Sequence, residues 1–173
     1  MLLELRETIA NFVCPEQRNE RRNLSRLVNL DALTGLANRR AFELALPAAE
    51  SDPNVWIVIF DINNAGQVNK KAGHKFGDII IREVADVITR SARVYSDDSA
   101  ERCFRIGGDE FVVLIERERA ARLRDQVEIS FGVKYPGIEV SVSGTFGETF
   151  AQADEGLQER KAAKKAKGTK YNG

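Results

Sequence analysis

The chain has 173 residues, and its 26 basic and 26 acidic side chains leave a formal charge of zero. That length suits one domain with a proper core, and the neutral balance argues against a protein built to coat nucleic acid. Cys14 and Cys103 lack metal-ligand spacing and suit a reducing compartment, with Cys103 expected in the core. No stretch approaches a membrane span, and charges inside the apolar N-terminal segment exclude a secretory signal. The expected location is the cytoplasm.

In chain order, Leu2, Leu5, Ile9 and Phe12 recur at helical spacing and stop before Pro15. This stretch is too short for a coiled coil, so the expectation is a helix packed on its own domain rather than a dimer-forming one. Residues 16–23 (EQRNERRN) form a charged connector, which divides the chain into 1–23 and a domain over 24–173. Leu24 to Leu30 enters the domain. Asn38 caps a helix running to about Leu46, and a loop with Pro53 follows. Val55 to Phe60 (VWIVIF) reads as a fully buried central strand. Ile79 to Arg93 has a helical pattern. Arg102 to Ile106 and Phe111 to Ile115 are short β-rich runs about Gly107-Gly108, a hairpin signal because primed turns need positive φ. Glu116 to about Asp125 reads helical. Val127–Val133 and Ile138–Ser143 alternate around Tyr135-Pro136-Gly137, as a second hairpin would; the first of them reads equally as an extension of the helix. Phe150 to Lys167 closes the chain as a helix. The sum is an α/β (α+β) sandwich whose mostly antiparallel sheet carries helices on both faces.

The chemistry concentrates at Arg105-Ile106-Gly107-Gly108-Asp109-Glu110-Phe111. Two carboxylates on a tight turn repel each other, so a positive group belongs there, and a divalent metal with phosphate ligands is the natural candidate. The strand ending in Asp61-Ile62-Asn63-Asn64 delivers a third acid. If that strand neighbours the hairpin, Asp61, Asp109 and Glu110 converge on one spot as a cation cage. A lone Asp ending a strand is otherwise a turn or cap residue.

Asn69-Lys70-Lys71-Ala72-Gly73-His74-Lys75-Phe76-Gly77-Asp78 follows, with His74 the only histidine. Together with Asp31-Ala32-Leu33-Thr34-Gly35-Leu36-Ala37-Asn38-Arg39-Arg40-Ala41-Phe42 and Ala153-Asp154-Glu155-Gly156-Leu157, these spaced segments resemble the GGDEF domain, the diguanylate cyclase family. The likeness runs from about Leu30 to Lys165. It implies a palm-like, nucleotidyl-cyclase-type fold and a homodimer that joins two GTP into cyclic di-GMP with release of pyrophosphate. It implies Mg²⁺, with Mn²⁺ as substitute, held by Asp61, the Ile62 carbonyl, Asp109 and Glu110. Asp109 and Glu110 are the implied catalytic pair. Asn69, His74, Asp78, Lys161 and Lys165 are the implied substrate-binding residues, with Asp78 and Asn69 on the guanine edge and the lysines on phosphate. Asp78 as the cap of a helix starting at Ile79 stays open as well. Membrane and nucleic acid are not expected partners.

Several positions depart from the family pattern. Where relatives read Asp-x-Asp-x-Phe-Lys-x-x-Asn-Asp, this chain has Asp61-Ile62-Asn63-Asn64-Ala65-Gly66-Gln67-Val68-Asn69-Lys70. The phosphate-facing lysine is thus Gly66, and Lys70 is expected to restore charge from another face of its helix. Ala65-Gly66 still offers backbone amides at a helix start. Asp98-Ser99-Ala100-Glu101 lacks the arginine of the family's product-inhibition motif, so no inhibition through that surface is expected. Lys161, Lys164 and Lys165 share one helical face, which reads equally as a solvated basic face. With only a short helix ahead of the domain, dimerisation is expected to be spontaneous or to depend on concentration and substrate. A degenerate domain that binds GTP as a receptor is the alternative function. A palm-type transferase using another nucleotide is disfavoured by Asp78 and Asn69.

Overall fold

The computed structural model describes residues 28–94, 102–135 and 137–169. The expected N-terminal helix, the charged connector and the 98–101 stretch lie outside the described residues. The elements are β1 (Ala37–Asn38), α1 (Arg39–Ser51), β2 (Val55–Asn63), α2 (Ala65–Ala72), α3 (His74–Arg93), β3 (Cys103–Arg105), β4 (Glu110–Glu116), α4 (Arg117–Ser130), β5 (Gly132–Tyr135), β6 (Ile138–Gly147) and α5 (Phe150–Thr169). One sheet runs in the order β1-β3-β4-β2-β6-β5. The β1–β3 pair is parallel and every other pair is antiparallel. Among the described residues no helix is long and apolar enough to cross a membrane.

Strand β2 is the middle of the molecule, paired to β4 on one side and β6 on the other. Its continuous apolar run is explained by burial on both faces. Val58, Phe60 and Ile62 point into one core with Val84 and Ile88 of α3 and Leu123 of α4. Ile57 and Ile59 point into a second core with Phe42 of α1 and Ala153 and Leu157 of α5. Two helical layers therefore sandwich the sheet, as the alternation predicts. Cys103 is fully buried, and burial pushes its thiol up to about 12.

Four local expectations are refined. Asn38 does cap α1, its Oδ1 accepting from Ala41 N at 3.1 Å, but the helix continues through Pro47 to Ser51. Pro47 faces solvent, and the Ser51 hydroxyl donates to its carbonyl at 2.7 Å. Helix α3 begins at His74, not Ile79, because Gly73 at φ +80° ends α2 and starts α3 within one residue. Asp78 is thus inside the helix and caps nothing. The segment 127–133 is both things in turn: α4 runs to Ser130, Phe131 is extended, and β5 starts at Gly132. The second hairpin is present, with Tyr135 opposite Ile138 and Gly137 at φ +74°.

Gly144 of β6 lies against Phe60, and a Cβ there would meet Phe60 Cδ1 at 2.7 Å and Arg124 Cγ at 3.0 Å. Gly144→Ala is therefore expected to destabilise the fold by about 1–3 kcal/mol in urea unfolding, the usual cost of overpacking. Gly108→Ala meets nothing within 4 Å and should unfold at the wild-type midpoint.

Candidate active site

The site forms where the face of β2 turned to α5 stops being apolar. Ile57 and Ile59 precede Asp61 on that face, and Asp61 is paired in register with Glu110 of β4 and with Ser143 of β6. Asp61 is 5% exposed. Burial pushes its carboxyl above the ordinary range, the Lys161 ammonium opposes this, and Asp109 and Glu110 add to it. Lys161 Nζ donates to Asp61 Oδ2 at 2.7 Å. The reason is helical spacing: Ala153 and Leu157 pack on the sheet, and the same stripe of α5 continues as Lys161 and Lys164.

The turn between β3 and β4 places the other two acids. Ile62 N donates to the Asp109 carbonyl at 3.1 Å, which extends the β2–β4 pairing into the turn. Neither Gly107 nor Gly108 adopts positive φ, so the expectation of a primed turn is incorrect. Gly107 serves close approach instead: a Cβ there would stand 2.5 Å from Glu110 Oε2. The turn is held from outside by Arg105, whose Nη1 donates to both carboxylate oxygens of Asp31 at 3.0 and 3.1 Å. Its Nη2 donates to the Gly108 carbonyl at 2.8 Å. Burial raises the Asp31 carboxyl, but hydrogen bonds from Thr34 and Arg105 outweigh it and hold the group below its ordinary value.

A cleft of about 950 Å³ opens over this edge, lined by Asp61, Ile62, Asp109, Glu110 and Lys161 among others. The sequence reading thus brings those five residues to one place. Asn69, His74 and Asp78 are not in its lining; they stand on the neighbouring α2–α3 pair. The buried Oδ1 of Asn69 has no hydrogen-bond partner, and it lies where a Cβ on Gly77 would have to go, at 1.9 Å. Lys165 is on α5, and its side chain lies outside the described residues. Lys70 lines the same cleft as Gly66, four residues earlier on α2, so it shares that face rather than occupying another.

The donors suit a hard divalent cation, being carboxylates and a main-chain carbonyl. They do not form a preassembled cage: among the described residues no three acidic, histidine or cysteine side chains gather closely enough to hold an ion. Lys161 supplies the positive charge at Asp61 instead. Other contributors went unread in the sequence. The Asn63 amide donates to Ser143 Oγ at 2.9 Å and Ser141 Oγ at 3.0 Å, a role an Asp at that position could not fill. Arg160 bonds the Gly144 carbonyl and the Glu128 carboxylate, pinning α5 to β6 and α4. No local motif signals these pairs, which are distant in sequence.

A mixed palm-like sheet with an acidic cleft at the end of its middle strands defines a nucleotidyl-cyclase-type domain. The family model described as diguanylate cyclase, GGDEF domain, matches residues 28–167, and the chain belongs to that family. The chain is similar to diguanylate cyclase DgcS of Shewanella oneidensis, at 34% identity over 77% of this chain and 49% of that protein. It is also similar to cyclic di-GMP phosphodiesterase PdeR of Escherichia coli, at 36% identity over 57% of this chain and 15% of that protein. The chain therefore spans about half or less of these relatives' lengths. The coiled coil and GGDEF domain of DgcB from Caulobacter crescentus, solved in complex with c-di-GMP, superposes with a TM-score of 0.72 at 26% identity. That match covers 94% of this chain and 96% of the DgcB chain.

Because Arg105 joins Asp31 to the turn from a largely buried position, Arg105→Ala should cost about 2 kcal/mol in urea unfolding. Asp31→Ala should cost a similar amount, and the double variant clearly less than the sum, since both singles break one interaction.

Proposed function

We propose that this chain is a diguanylate cyclase domain, condensing two GTP into cyclic di-GMP and two pyrophosphates as a Mg²⁺-dependent homodimer, with Mn²⁺ able to substitute. The observation that carries the reading is the meeting of Asp61, Asp109, Glu110 and Lys161 at one cleft, beside the start of α2. The 3′-oxygen of one GTP bonds to the α-phosphorus of the other, the bond from that phosphorus to its bridging oxygen breaks, and pyrophosphate leaves. A second, symmetric attack closes the ring. Such a reaction asks a protein for positioning and charge neutralisation more than for covalent chemistry.

Asp61, Asp109, Glu110 and the Ile62 carbonyl would hold the divalent ion, which when bound neutralises phosphate charge and polarises the phosphoryl oxygens. The hydroxyl proton is taken up at the Asp109–Glu110 wall. Lys161, and Lys165 further along α5, meet the phosphates. Asp78, which caps nothing, accepts from the guanine N1–H and amino group, with Asn69 as its partner residue at that edge. Adenine would set a ring acceptor against Asp78 where guanine sets the N1–H, leaving one of its hydrogen bonds unmade, which is how such a site discriminates. His74, exposed at the start of α3, flanks this base-reading corner.

A second reading is favoured by Asn63 and Gly66 and by the likeness to a protein named as a phosphodiesterase. In it the domain binds GTP without turning it over and acts on a partner.

Incubation of the wild-type protein with GTP and Mg²⁺ is expected to give cyclic di-GMP by mass spectrometry. Asp109→Ala and Glu110→Ala should each give none while keeping the wild-type circular dichroism spectrum. Asp78→Ser should narrow the preference for GTP over ATP. Product at normal rates from either alanine variant would remove the metal assignment, and GTP binding without any wild-type product would favour the receptor.

A further inference from the structure

Helix α5 sets two ammonium groups over neighbouring strands at the same level of the sheet. Lys161 bonds Asp61 on β2, and Lys164 bonds the hydroxyl of Ser143, the residue paired with Asp61 on β6. The two lysines are not equivalent. Lys161 is neutralised by a carboxylate, whereas Lys164 rests on a neutral hydroxyl and forms no ion pair with a described residue. Ser143 is 1% exposed and exchanges hydrogen bonds with the neutral Asn63 amide, while the Asp61 carboxylate beside it is taken up by Lys161 and Glu139 of the cleft forms no ion pair with Lys164. Lys164 lines the cleft, and across it stand Gly66 and Lys70 of α2. At Gly66 the wall is open, with no atom within 4 Å of where a Cβ would be.

A cation bonded to a buried hydroxyl, facing a cleft and without an ion-pair partner among the described residues, is a site for a ligand's anionic group. We propose that Lys164 is a specificity-determining residue for the polyphosphate tail of the nucleotide, taking the role vacated by a side chain at position 66, with Asn63 keeping its charge uncompensated. The inference rests on the reading of the cleft as a GTP site, but it concerns binding and not turnover. Lys164 contacts the tail beyond the α-phosphate, so its loss acts on triphosphates and not on monophosphates. An aspartate at position 63 would reach Lys164 through Ser143 and quench it.

The test is calorimetric titration with a GTP analogue carrying a methylene bridge between the α- and β-phosphorus, which cannot cyclise, alongside GMP. Lys164→Ala should weaken the analogue roughly tenfold, the usual loss of one charge-assisted hydrogen bond, and leave GMP unchanged. Asn63→Asp should move the analogue in the same direction with Lys164 intact. Adding Gly66→Lys to Lys164→Ala should restore most of the affinity. Unchanged analogue affinity in Lys164→Ala, or an equal loss for the analogue and GMP, would overturn the assignment. Wild-type protein that shows this Lys164-dependent preference yet makes no cyclic dinucleotide would sustain the inference and sink the cyclase reading. No wild-type binding of the analogue would sink both.

Discussion

A buried strand that ends in a carboxylate needs a positive charge beside it, and much of this molecule is arranged around that requirement. Asp61 is delivered by β2 to a place that water hardly reaches, with Glu110 opposite it and Asp109 one residue away. Burial and like charge both disfavour its ionised form, so its carboxyl is raised even with an ammonium at hydrogen-bond distance. A protein seldom retains such an arrangement for stability, because an apolar residue would pack there at lower cost. A buried carboxylate raised in this way at the edge of a cleft marks a candidate functional site.

The scaffold serves that site through a few long-range ties. Helix α5 changes from an apolar to a basic stripe as it crosses the end of β2, which turns a packing surface into one wall of a cleft. Arg160 fastens that helix to Gly144 and Glu128, so the lysines beyond it arrive at a defined height. On the opposite wall Arg105 clamps the acidic turn to Asp31. The α2–α3 pair is hinged at Gly73 and packs Asn69 against Gly77, where only a residue without a side chain fits. Rigid elements thus hold each wall of the cleft, the arrangement that the proposed reaction, governed by positioning, would use.

The layers, the central place of β2 and the convergence of Asp61 with Asp109 and Glu110 were legible because period-two burial and a marked turn motif are local signals. The boundaries that slipped each have a local cause. Pro47 sits inside α1 because its exposed position tolerates a lost hydrogen bond, and α3 starts early because one glycine does the work of a loop. The turn glycines were read for backbone freedom, whereas Gly107 is there for the space that Glu110 occupies. Lys70 was assigned to the wrong face by reading residues singly rather than by the four-residue repeat that unites it with Gly66. The Lys164–Ser143–Asn63 chain was not legible at all, since it links Ser143 to residues 80 and 21 positions away that carry no motif.

Lys161 is paired with only one of the four carboxylates that line the cleft, Asp61, Asp109, Glu110 and Glu139, and the proposed nucleotide would bring further negative charge to it. In the proposed reading GTP binds together with an additional cation, and the direct measurement is the affinity of the wild-type protein for a non-cyclising GTP analogue with and without Mg²⁺. The charge account predicts that Mg²⁺ tightens binding at least roughly tenfold, and that Asp61→Asn removes most of that gain. Equal affinity with and without Mg²⁺ would contradict it, because the acidic wall would then have no part in holding the nucleotide.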